Sequence, residues 1–151
     1  MRRITPTLVS LLVILVLAAC QPGRANDSGN PPSGSEPVST PVLVSSGAFQ
    51  QITPETLAGM LADKNFFFVN THIPYEGEIA PTDAFIAYDE TAQRLAEYPA
   101  DKDAMIVLYC RSGRMSAIAA EDLVDAGYTN VWDLAGGFNA WKDAGFELIV
   151  N

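Results

Sequence analysis

The chain is short of the residues on which most metal and nucleic-acid chemistry depends. It has 1 histidine and 2 cysteines among 151 residues. With carboxylates scattered between them, these give no ligand spacing of a recognisable metal site. Lys and Arg number 9 against 18 Asp and Glu, so the basic footprint that nucleic acid or anionic headgroups require is missing. The apolar stretch Leu8–Leu17 is too short to span a bilayer comfortably. The chain shows no internal repeat and no second domain.

What is present begins with a short basic start, Met1-Arg2-Arg3, and that apolar stretch, which together read as a secretory signal peptide over residues 1–19. Its end, Leu17-Ala18-Ala19-Cys20, resembles the lipobox of bacterial lipoproteins. The resemblance implies lipidation (palmitate and related acyl chains) on Cys20 and an extracytoplasmic, lipid-anchored protein that does not span the membrane. Losing Arg2 and Arg3 would leave seven basic against eighteen acidic residues, a balance of −11. Residues 20–46 are dense in Pro, Gly, Ser and Asn, with little to bury, and are expected to form a disordered linker. Residues 47–151 are long enough for one small domain with a single core.

Within that domain helix and strand patterns alternate. Thr53-Pro54-Glu55 supplies an N-cap, a proline at the first helical position and an early acid, predicting a helix through Asp63. Phe66–Val69 and Met105–Tyr109 are wholly apolar runs, as expected of strands buried on both faces. A short strand is predicted at 84–87, a helix from Asp89 to Tyr98, and a helix from Ser116 to Ala126 stopped by Gly127. A third buried strand over 131–134 and a last helix over 138–144 follow. Trp132, Phe138 and Trp141 are expected in the core or under the last helix. The alternation implies an α/β domain: a small, mainly parallel sheet with helices on both faces.

Cys110 directly follows the run 105–109, where open α/β sheets place their ligands. Arg111-Ser112-Gly113-Arg114-Met115 then lead to a helix expected at Ser116. Backbone N–H groups and the positive end of that helix would favour a sulfur-centred anion. Gly113 allows the backbone to turn with positive φ, and Arg111 and Arg114 add positive charge. The alternative is an inert core cysteine; a glycine and two arginines are poor company for one.

Tyr109-Cys110-Arg111-Ser112-Gly113 followed by Ser116 resembles the active-site loop of single-domain rhodaneses, sulfurtransferases that carry sulfane sulfur as a cysteine persulfide. The downstream run "DAGYTNVWDLAGGFNAWKDAGFEL", residues 125–148, resembles the C-terminal signature of the same family. The resemblance covers residues 50–150 and implies the rhodanese-like α/β fold. It also implies Cys110 as the catalytic thiol, a substrate loop of Arg111, Ser112, Gly113, Arg114, Met115 and Ser116, and no cofactor or metal. Departures are visible. Val69-Asn70-Thr71-His72 stands where the family has an acid-x-basic segment, Glu78-Ile79-Ala80-Pro81 replaces a Gly-His-Ile-Pro stretch, and Met115 takes a frequent arginine position.

Loop length separates sulfur from phosphate chemistry. Cysteine phosphatases use Cys-x5-Arg, whose arginine clamps two oxygens of a tetrahedral anion. The sixth residue after Cys110 is Ser116, and the six residues from Cys110 to Met115 suit a single added sulfur atom better. His72 reads either as a group beside the Cys110 pocket, contacting an anionic donor or a proton, or as a loop histidine bonded to backbone. Tyr75, Glu76 and Glu78 occupy the same long loop and read as shapers of the entrance or as solvated residues.

The expected function is sulfur transfer from a donor such as thiosulfate or a persulfide to a thiol, cyanide or protein acceptor. Two rivals are a non-catalytic binding module and an extracytoplasmic thiol redox protein, which would need an external thiol partner.

Overall fold

The computed structural model describes residues 37–150. The leader 1–19, Cys20 and most of the expected linker lie outside the described residues.

The elements in chain order are β1 (Thr40–Val44), β2 (Gly47–Ile52), α1 (Pro54–Ala62), β3 (Phe67–Asn70), β4 (Ala84–Phe85), β5 (Ile106–Tyr109), α2 (Arg114–Asp125), β6 (Val131–Leu134) and α3 (Gly137–Asp143). They build one six-stranded sheet in the order β1-β2-β6-β5-β3-β4. Only the β1–β2 pair is antiparallel; the pairs β2–β6, β6–β5, β5–β3 and β3–β4 are parallel. β5 therefore sits inside the sheet, with hydrogen-bonded neighbours on both sides, and its carboxyl end is the natural place for a ligand.

Side chains alternate across the sheet, and each face carries its own core. Ile106 and Leu108 of β5, with Val69 and Val131, pack under Ala119, Ala120 and Leu123 of α2. Val107 and Tyr109 of the same strand turn the other way, with Phe68 and Leu134, toward Leu57 of α1 and Phe138 and Trp141 of α3. Trp132 joins this second core. Both faces are thus covered, which is why β5 reads as an unbroken apolar run. The Thr53 hydroxyl caps α1 by accepting from Thr56 N–H at 3.3 Å, and Pro54 opens the helix.

Three expectations are corrected. The linker expected to run to residue 46 ends earlier, because Thr40–Val44 form β1, in register with β2 from Thr40↔Gln51 to Val44↔Gly47. Val42 and Val44 turn inward against the first core, which gives this edge hairpin its reason to order. The helix expected from Asp89 to Tyr98 is two short 3₁₀ turns, Tyr88–Gln93 and Leu95–Glu97. That segment fully buries only Thr91 and Tyr98, too little apolar surface to hold a continuous α-helix to the sheet. The helix expected at Ser116 begins two residues sooner, at Arg114, with Gly113 as its N-cap.

Candidate active site

Cys110 follows β5 directly, and its side chain is almost wholly buried, with 1% of its surface exposed. The loop after it turns at Gly113, where φ is +88°. That left-handed turn, open to glycine at little cost, lets the Gly113 N–H donate to Cys110 Sγ at 3.1 Å. One turn into α2, the Ser116 hydroxyl lies 3.5 Å from the same sulfur. The sulfur therefore meets a backbone amide, a hydroxyl and the start of a twelve-residue helix, all favouring negative charge on it.

The base of the loop is held by the opposite helix. Phe138 N–H donates to the Cys110 carbonyl at 2.9 Å and Asn139 N–H to the Arg111 carbonyl at 3.0 Å. These are first-turn donors of α3, which an α-helix cannot satisfy internally. The turn Gly136-Gly137 lets α3 approach that closely.

A cavity of about 260 Å³ opens above the sulfur, lined by His72, Pro74, Glu76, Cys110, Arg111 and Met115, with Ile73, Ser112 and Arg114 completing it. Its far wall is the loop after β3. Asn70, fully buried, donates from Nδ2 to the Gly77 carbonyl at 3.0 Å, and its Oδ1 accepts from His72 N–H at 3.0 Å. An amide serves both bonds, one as donor and one as acceptor, which a carboxylate at this position could not. The Tyr109 hydroxyl accepts from Ile79 N–H at 3.0 Å, and Glu78 and Ile149 exchange backbone bonds of 2.8 Å. The wall is thus tied to β5 and to the C-terminal segment.

At the mouth, Arg111 Nη1 donates to Glu76 Oε1 at 3.0 Å. His72 is buried, edge-on to Phe138, with Nδ1 3.4 Å from Met115 Sδ. Its Nε2 lies 3.4 Å from Glu76 Oε1 without the alignment of a hydrogen bond. Desolvation works against the Glu76 carboxylate, but His72 and Arg111 outweigh it and hold its pKa below the usual range. Arg114 stands exposed on the rim.

The structure brings together all eight candidate residues of the domain. Cys110, Arg111, Ser112, Arg114, Met115 and His72 line the cavity, while Gly113 and Ser116 touch the sulfur from the helix side. Glu76, left between two readings by the sequence, takes the contact that ties Arg111 down. Asp133 was missed. It lies on β6 beside Leu108 of β5, is fully buried, and its Oδ2 accepts from Gln51 Nε2 at 3.3 Å while Oδ1 has no hydrogen-bond partner. The visible signal was a lone acid inside the otherwise apolar run Val131-Trp132-Asp133-Leu134.

Burial pushes the Asp133 carboxyl up to about 7, against the opposing pull of Ser116 and Gln51. An acid whose folded-state pKa is raised stays protonated in the native protein while the unfolded chain ionises. Its contribution to stability therefore falls as pH rises from about 4 to about 7, then levels off. Asp133→Asn should gain on the wild type across that window and hold the gain above it, by several degrees in Tm. Thermal melts at pH 4.5 and 8 check this; an equal difference between variants at both pH values contradicts it.

A mainly parallel α/β sheet whose central strand runs into a cysteine loop and then a helix defines a class of α/β domains that hold a thiol at the carboxyl edge of the sheet. Within that class, the chain belongs to the rhodanese-like domain family, which it matches over residues 57–144. A curated sulfurtransferase of Allochromatium vinosum is 32% identical over 103 residues, spanning 66% of this chain and 94% of that protein. The thiosulfate sulfurtransferase GlpE of Coxiella burnetii is 41% identical over 51 residues, 32% of this chain and about half (48%) of the relative. Among solved structures, the rhodanese-like domain of the Anabaena Alr3790 protein superimposes with a TM-score of 0.59 at 22% identity, covering 67% of this chain and 79% of that one. This last likeness concerns the fold alone.

Proposed function

We propose that the protein is a sulfurtransferase that carries sulfane sulfur as a persulfide on Cys110. The Cys110 thiolate attacks the outer sulfur of a donor such as thiosulfate; a new S–S bond forms, the donor's own S–S bond breaks, and the electron pair leaves with sulfite. An acceptor thiolate, cyanide or a protein thiol then attacks the terminal sulfur, and Cys110 departs as thiolate. The observation that carries this reading is the sulfur's setting: a buried Sγ held by the Gly113 N–H and the Ser116 hydroxyl at the floor of the cavity. Such a cradle stabilises a sulfur anion through the whole cycle. Membership of a family with sulfurtransferase-named relatives supports it. The lipobox-like segment ending at Cys20 supports placing the domain outside the cytoplasm, tethered by its acyl chains.

A donor panel of thiosulfate, glutathione persulfide and inorganic polysulfide, with cyanide as acceptor, tests the reading. Turnover with at least one donor is expected, and its absence with all three overturns it.

Glu76 bears on donor choice. It occupies Arg111, so an anionic donor meets one guanidinium already paired and a carboxylate beside it. Glu76→Gln should release Arg111 and lower KM for thiosulfate about two- to fivefold, the scale of an exposed ion pair, with kcat little changed. A KM that stays the same or rises contradicts this role.

A further inference from the structure

The cavity above Cys110 offers more than a simple sulfur oxyanion can use. Its volume of about 260 Å³ is several times that of a five-atom anion such as thiosulfate. Part of its lining is apolar, from Ile73, Pro74 and Met115, and its charge comes from Glu76, Arg111 and Arg114.

These three charges are not equivalent. Arg111 is already engaged, its Nη1 donating to Glu76 Oε1 at 3.0 Å. His72 Nε2 approaches the same oxygen, at 3.4 Å, so Glu76 Oε2 carries neither contact. The Glu76 side chain is 38% exposed, open enough to meet a ligand. Arg114 stands exposed on the rim and enters no ion pair among the described residues. The mouth therefore presents one uncommitted cation and one anion with an oxygen to spare. A dianion such as thiosulfate gains Arg114 but is repelled by Glu76, and a repulsive group of this kind is how a site rejects a competitor. A donor with both a carboxylate and an ammonium satisfies the two ends through charge-assisted hydrogen bonds. Its hydrocarbon body suits the apolar lining.

We propose that the donor is the hydropersulfide of an amino-acid thiol, of which cysteine hydropersulfide is the simplest; the inference rests on the sulfur-transfer reading of Cys110. The donor's ammonium donates to Glu76 Oε2, its carboxylate accepts from Arg114, and its –S–S–H group reaches Cys110. The Cys110 thiolate attacks the terminal sulfur of the neutral hydropersulfide. A new S–S bond forms and the donor's S–S bond breaks. The electron pair leaves on the amino-acid thiolate, and the proton stays on the transferred sulfur. Glu76 is thus a specificity-determining residue, favouring an ammonium-bearing donor over an oxyanion.

The test separates recognition from transfer. Binding of S-methylcysteine, which has no sulfane sulfur, is compared with that of 3-(methylthio)propionate, the same molecule without its ammonium. Each is titrated into the protein while the Gly113 amide resonance is followed. S-methylcysteine should bind at least about threefold more tightly, the scale of a part-exposed charged contact, and Glu76→Gln should remove that margin. Arg114→Gln should weaken both analogues, since both keep the carboxylate. Equal affinities in the wild type, no binding of either analogue, or a margin that survives Glu76→Gln overturns the proposal. The wild-type comparison needs no substitution, so it decides the matter even if a variant fails to fold. In turnover, kcat/KM for cysteine hydropersulfide should exceed that for 3-mercaptopropionate hydropersulfide by a similar factor, and equal values overturn the proposal. Turnover with neither, where the binding margin is present, refutes sulfur transfer and not the recognition.

Discussion

Cys110→Ser should bring sulfur transfer down to background, a loss on the order of 10⁴-fold or more, while Tm moves by only a few degrees. The reasoning separates reactivity from packing. Oxygen at this position does not ionise at neutral pH and makes no persulfide, so neither half of the cycle survives. Packing changes little, because the Gly113 N–H and the Ser116 hydroxyl that face Cys110 Sγ partner a serine hydroxyl as readily as a thiol. A buried hydroxyl with partners avoids the penalty of an orphaned one. Cyanide-coupled turnover and a thermal melt on the same preparation check both halves. Retained turnover places the chemistry on another residue.

Gly137→Ala should do nearly the converse, damaging the fold and the site together. At Gly137 φ is +58°, a conformation costly for any residue with a Cβ. Space is also lacking: an added Cβ runs into the Cys110 carbonyl oxygen and lies 2.6 Å from the Arg111 carbonyl carbon and 2.8 Å from its oxygen. These are backbone atoms of the cysteine loop, so no side-chain rotation relieves the clash. Strain and overpacking together cost about 2–5 kcal/mol. Relief requires α3 and the loop to separate, which breaks the Phe138 and Asn139 bonds to the loop carbonyls and shifts Sγ from the Gly113 N–H. Cys110 reactivity should fall at least about tenfold, the scale of a sub-ångström misplacement. Gly59→Ala is the matched control. Nothing lies within 4 Å of an added Cβ there, and a helical glycine replaced by alanine gains about 0.5–1 kcal/mol. Chemical denaturation of the two variants should shift in opposite directions.

Much of this arrangement is legible in the residues themselves. β5 is a run with no polar position, and a strand so apolar belongs inside a sheet covered on both faces. Cys110, coming where that run ends, thereby falls at the ligand edge of the sheet. Gly113 announced the turn that brings its own N–H to the sulfur, although the helix was expected two residues late. What stayed hidden depends on contacts far apart in sequence. β1 is framed by Ser39, Thr40 and Pro41, whose composition reads as linker; only pairing with β2 and the inward Val42 and Val44 make it a strand. The 3₁₀ turns at 88–97 carry plausible helix formers, and their failure to form one helix follows from how little of that surface the sheet accepts. Glu76 gained its meaning from Arg111, thirty-five residues away. Asp133 was the readable omission, since an acid in a four-residue buried strand needs a reason, and its neighbours Gln51 and Ser116 come from β2 and α2.

The sulfur-carrying role of Cys110 is most directly tested by the intact mass of the protein after exposure to a sulfane donor and removal of excess reagent. One added sulfur atom is predicted, located on the Cys110 peptide, removed by cyanide and absent from Cys110→Ser. Unchanged mass after every donor in the panel, or an adduct that persists in Cys110→Ser, would contradict it.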